Sequence, residues 1–61
     1  MLTPRQTQIM EQLISGMRHR EVASNLGITR SAISTHMERI CNRIEANTSI
    51  EAAVKFDRLR R

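Results

Sequence analysis

Aromatic side chains are almost missing from this chain, which has one Phe, no Tyr and no Trp in 61 residues. Its core must therefore be aliphatic and methionine-rich, with modest stability, because aromatics supply the largest buried areas. Cys41 is the single cysteine, so neither an intrachain disulfide nor a cysteine metal cluster can form. One unbridged thiol fits a reducing, cytosolic setting. No apolar run approaches the roughly 20 residues of a membrane span, and the first residues do not read as a signal peptide. Paired carboxylates, a nucleophile beside a base and a glycine-rich phosphate loop are absent as well. Catalysis and metal binding have nothing to build on, and no cofactor is implied. Repeats, low-complexity stretches and linkers are also missing. The chain is one small domain, of a size that buries only about 60% of its unfolded surface, so a partner chain would help it. Met1 fits a whole small protein and equally a piece of a longer regulator.

Basic residues are plentiful: ten Lys and Arg stand against six acids, for a net charge of +4. Nine of the ten are Arg. Such a balance suits a polyanion, although six interspersed acids also fit an ordinary solvated surface.

The stretch from Glu21 to Ile44 organises the rest. Val22, Ala23 and Leu26 share one face of a short helix. Gly27 follows, where a left-handed residue can end a helix without a Cβ penalty. Ile28 plugs the corner, and Thr29 can cap the next helix. Ile33, Met37, Ile40 and Ile44 then recur at spacings of four, three and four, an apolar stripe on a longer helix. The opposite face carries Ser31, Thr35, Glu38 and Asn42, with Arg30 and Ser34 on its flank. A short helix, a glycine turn and a capped longer helix make a helix-turn-helix, and small Ala23 lets the two helices cross closely.

Before it, Thr3-Pro4-Arg5-Gln6 has the form of a capping box with proline in the first turn. Ile9, Met10, Leu13, Ile14 and Met17 continue as an apolar face, and Gly16 ends that helix. After it, Thr48-Ser49-Ile50-Glu51 has the form of a second capping box. A last helix follows, with Ile50, Ala53, Val54 and Leu59 as its apolar side and Phe56 off that stripe, partly exposed. The expected helices span about residues 4-15, 19-26, 30-45 and 49-59. Arg58, Arg60 and Arg61 form a basic tail. His36 and Cys41 flank the apolar stripe; Cys41 is expected to be a buried small hydrophobe, and His36 to be structural or a phosphate donor.

These pieces together resemble the LuxR/GerE (NarL/FixJ) type of DNA-binding domain. The resemblance is carried by Leu2-Thr3-Pro4-Arg5, Gly16, Arg20-Glu21-Val22-Ala23 and Leu26-Gly27-Ile28-Thr29. It continues through Ile33-Ser34-Thr35-His36, Ile40, Arg43-Ile44 and Glu51-Ala52-Ala53-Val54, so it covers Leu2 to Phe56 in order and without a gap. It implies an all-α, four-helix domain that binds double-stranded DNA and regulates transcription in the cytoplasm of a bacterium, encoded there or by a phage and associated with the nucleoid. Arg30, Ser31, Ser34, Thr35 and Glu38 would face the major groove. Arg20 and Arg43 would hold phosphates. The family's fourth helix forms a dimer contact, which here points to Ala52, Ala53 and Phe56 and a homodimer.

Several positions depart from the family pattern. Gln6 stands where Glu is usual, and Arg18 and His19 where Ser and Asn are usual. Ser34 replaces a frequent Lys, Arg39 a frequent Asn, and Glu38 a residue that several members keep basic. Less positive charge on the groove face leaves open a second role: a module that has lost DNA affinity and pairs with a larger LuxR-type regulator. Contact with RNA polymerase, as in the similar motif of sigma factors, is a third.

Overall fold

The computed structural model describes residues 2–60; Met1 and Arg61, the latter part of the basic tail, lie outside the described residues. The described residues form helices α1 (Pro4–Ile14), α2 (His19–Leu26), α3 (Arg30–Ile44) and α4 (Ser49–Leu59), with no strand. The first and third end one residue short of the expected bounds, for the reason that follows.

Each helix starts on a side-chain or carboxylate device. Thr3 Oγ1 accepts from the Gln6 amide at 3.1 Å, and Gln6 Oε1 accepts from the Thr3 amide at 3.0 Å, which closes the capping box. Thr29 Oγ1 accepts from the Ala32 amide at 3.0 Å, so the turn hands straight over to α3. Arg18 has no acceptor in its side chain, so at α2 only the return bond exists, from the Arg18 amide to Glu21 Oε1 at 2.9 Å. At α4 the forward bond exists, Thr48 Oγ1 accepting from the Glu51 amide at 3.0 Å. The Glu51 carboxylate lies 3.5 Å from Lys55 Nζ, in an i,i+4 pair. The expected second capping box is thus drawn only in its forward half.

The helix ends share one design. A left-handed residue closes each of the first three: Gly16 (φ 102°), Gly27 (φ 69°) and Glu45 (φ 62°). The next amide reaches back five residues: Met17 to the Gln12 carbonyl at 3.2 Å, Ile28 to Ala23 at 3.0 Å, Ala46 to Cys41 at 2.8 Å. This is the Schellman closure, and its companion apolar contact is present each time, since Met17, Ile28 and Ala46 all pack against the core. Glycine makes the first two cheap; at the third a glutamate holds a conformation that L-residues disfavour. Lys55 Nζ donates to the Glu45 carbonyl at 2.7 Å and fixes that corner.

The core consists of Ile9 and Met10 from α1, Val22 and Ala23 from α2, Ile33, Met37 and Ile40 from α3, and Ala52 and Phe56 from α4. The stripes expected on the first three helices supply seven of these. The fourth helix differs. Phe56 is 8% exposed and Ala52 fully buried, whereas Ile50 (79%), Val54 (47%) and Leu59 (75%) are exposed. The expected apolar side of α4 is therefore largely its outer side. At about 100° per residue, Ile50 and Val54 fall opposite Ala52 and Phe56, and the one aromatic ring has the larger area to hide. Arg60 covers the rim of that ring, 5.9 Å from its centroid.

Candidate nucleic-acid interface

The α3 residues expected from the sequence to meet DNA, five at the groove and Arg43 at a phosphate, lie on the exposed surface of that helix. Arg30 and Ser31 form its first turn, Ser34, Thr35 and Glu38 its middle, and Arg43 its last turn, and all six are exposed. Ile33, Met37 and Ile40 hold the helix down from behind, so the exposed face sits on a packed support. Asn42 continues the stripe of Ser31, Thr35 and Glu38, one turn further on, and it too is exposed. Arg20, the second residue of α2, is exposed beside Arg18 and His19. The start of that helix therefore gathers two guanidiniums and an imidazole.

Local hydrogen bonding decides what some of these side chains can offer. Thr35 Oγ1 donates to the Ser31 carbonyl at 3.2 Å. Its proton is used within the helix, and its lone pairs and methyl remain for a ligand. Glu38 has no hydrogen bond or ion pair among the described residues. Its carboxylate can only accept.

Three features were not singled out as part of the site from sequence. Gln6, 5% exposed, sits at the base of a shallow groove with Arg39, Asn42 and Arg43. The capped start of α1 thereby braces the C-terminal half of α3. The capping pattern foretold the Gln6 bond, but no periodicity could foretell which helix it would lean on. Asn25 Nδ2 donates to Gln12 Oε1 at 3.2 Å and ties α2 to α1. The imidazole Nδ1 of His36 is buried on the inner flank of α3, with no hydrogen-bond partner among the described residues, which fits a packing role for that edge of the ring.

The residues assigned to pairing are placed differently. Ala52 and Phe56 belong to the core and Ala53 is half-buried, so α4 presents Ile50 and Val54 outward in their stead. Among the described residues no group of His, Cys, Asp and Glu is arranged to hold a metal ion, and no helix is long and apolar enough to cross a membrane.

Comparison with known proteins agrees with this architecture. The family model described as GerE, bacterial regulatory proteins, luxR family, matches residues 1–56. The nitrate/nitrite response regulator protein NarL of Escherichia coli is 30% identical over 53 residues, covering 87% of this chain and 24% of that protein. A transcriptional regulatory protein of Bacillus subtilis, YxjL, is 29% identical over 52 residues, covering 85% of this chain and 24% of its own length. The chain spans about a quarter of the length of these curated relatives. No solved structure matches it. A family match over nearly the whole chain, on four helices with a helix-turn-helix at their centre, means that the chain belongs to the luxR family of bacterial regulatory proteins, as a DNA-binding helix-turn-helix domain.

Proposed function

We propose that this domain binds duplex DNA sequence-specifically, with α3 in the major groove, and so regulates transcription. The observation that carries the reading is the composition of the exposed side of α3. From Arg30 to Glu38 it holds only short polar or charged side chains on a buried aliphatic base. Such a face suits a helix whose N-terminal half enters the groove. Arg30 offers a bidentate fork to guanine, and Ser31, Ser34 and Thr35 offer adaptable hydroxyls. Arg20 and Arg43 stand at the two ends of the motif, where phosphates border the groove.

Two copies would bind together through α4 on a partly palindromic site, with half-sites about one helical turn apart. The surface available for that contact is Ile50 and Val54, with Ala53 at its edge. Exposed β-branched side chains one turn apart are apolar area that a second copy can cover.

Selection of bound duplexes from a random library, near physiological salt, tests the reading. Recovery of a two-fold-related motif, with binding that falls steeply as salt rises, supports it. Recovery of no motif refutes sequence-specific binding. The same exposed Ile50 and Val54 favour a second reading in that event, in which the domain pairs with a larger luxR-type regulator and antagonises it. A mixed oligomer with such a regulator would identify that role.

A further inference from the structure

The charges on α3 are not arranged for simple attraction to DNA. At about 100° per residue, Ser31, Thr35, Glu38 and Asn42 form the outermost stripe, Arg30 falls to one side, and Arg39 and Arg43 fall to the other. The guanidiniums therefore flank the stripe, toward the phosphates that wall a groove, and the one acid stands on the midline, toward its floor. Beside it, Thr35 has committed its hydroxyl proton to the Ser31 carbonyl at 3.2 Å. Glu38 itself is exposed and engaged by no described residue. The midline of the helix thus presents acceptors at two consecutive positions of the stripe.

Resting on the groove placement proposed above, we infer that this acceptor pair is a base selector: Glu38 accepts from the N4 amine of a cytosine, beside a Thr35 hydroxyl that offers lone pairs alone. Guanine presents O6 and N7 acceptors in the major groove, and thymine presents O4. Both would meet a carboxylate with a lone pair. Adenine has an N6 amine, but its N7 acceptor lies next to it. Only the cytosine edge offers a donor without an adjacent acceptor. The neighbouring Thr35 methyl supplies an apolar contact for a pyrimidine C5 edge. The same carboxylate lowers affinity for every duplex through the phosphate field, so the domain gives up general attraction and gains discrimination at one base pair.

The experiment compares the unmodified protein with Glu38→Gln in competition binding. The targets are the selected duplex and three versions changed only at the base pair facing Glu38, with circular dichroism to show that both proteins fold alike. The amide adds a donor to that side chain. The expected result is that Glu38→Gln binds random duplex more tightly while its preference for cytosine at that position falls about tenfold, the equivalent of about 1.4 kcal/mol and within the range of a good base contact. A rise in affinity that is even across all four duplexes, with the preference kept, would show that Glu38 only repels phosphate and would overturn the inference while leaving the groove placement standing. A selected motif with no cytosine at any position whose preference Glu38→Gln alters also overturns it. Failure of the unmodified protein to bind any duplex removes the proposed function itself, and this inference with it.

Discussion

Replacing Glu45 by glycine is expected to stabilise the domain. Glu45 sits at φ 62° and ψ 47°, inside the left-handed region, and closes α3. Holding an L-residue there costs about 1–2 kcal/mol. Glycine removes that cost but adds about 0.5–1 kcal/mol of chain entropy to the unfolded state. The exposed carboxylate also faces the negative end of α3, and its removal returns about 0.3 kcal/mol. The bonds that make the corner involve backbone atoms of residue 45 and its neighbours, so the Lys55 contact at 2.7 Å and the Ala46 contact at 2.8 Å survive the change. The net gain is about 1 kcal/mol, and for a domain of this size that raises Tm by about 4–8 °C. Thermal melts and urea titrations followed by circular dichroism measure it. Glu45→Gln serves as the control, because it removes the charge and keeps the Cβ; it should recover only the dipole part. If Gly and Gln give the same stability, the left-handed residue carries no strain and the account of the corner is wrong.

Gly27→Ala tests the same physics in reverse. A Cβ at Gly27 would meet nothing within 4 Å, so the expected loss of about 1 kcal/mol is conformational alone, read as a lower urea midpoint at unchanged slope. Phe56→Ala should cost about 3–5 kcal/mol, enough to leave little folded protein at 25 °C by circular dichroism. Val54→Ser should stay within about 0.5 kcal/mol in the monomer, and equal losses at the two sites would contradict the burial described. Alanine at Thr35 or Arg30 should relax base choice at a cost of about 1–3 kcal/mol each; selection that returns the unmodified motif from both variants would remove α3 from the groove. Arg20→Ala should weaken binding evenly across sequences and lower the slope of log K against log salt by about 1, whereas a change in base preference would mean that Arg20 touches bases.

Much of this was legible from residue types that act locally. Thr3, Thr29 and Thr48 announce helix starts because a hydroxyl one residue before an apolar period can do little else so well. Gly16 and Gly27 announce ends because φ above zero is cheap for glycine. Glu45 carries no such signal: its left-handed conformation is held by the Lys55 contact to its carbonyl and by half-buried Ala46 packing against the core. The inner side of α4 is hidden from the sequence for a related reason. Periodicity located an apolar stripe at Ile50, Ala53 and Val54, but a helix with apolar residues on two sides carries no label saying which is inside. The answer comes from the rest of the fold, which packs Ala52 and Phe56 into one cluster with Ile9, Met10, Ile33 and Ile40. The exposed side of α3 is legible from its distance around the helix from the stripe of Ile33, Met37 and Ile40. What Thr35 can offer depends on a single hydrogen bond within the helix, and sequence does not state it.

The corner between α3 and α4 carries a mechanical consequence. Cys41 Sγ donates to the Thr48 carbonyl at 3.7 Å, Lys55 Nζ ties α4 to the Glu45 carbonyl that closes α3, and Ile40 packs in one cluster with Ala52 and Phe56. These contacts tie the start and middle of α4 to the end of α3 across the short connection that Glu45 opens. A load placed on the outer side of α4 would therefore reach α3 through these ties at its C-terminal end, and cutting the Lys55 contact would loosen that path first.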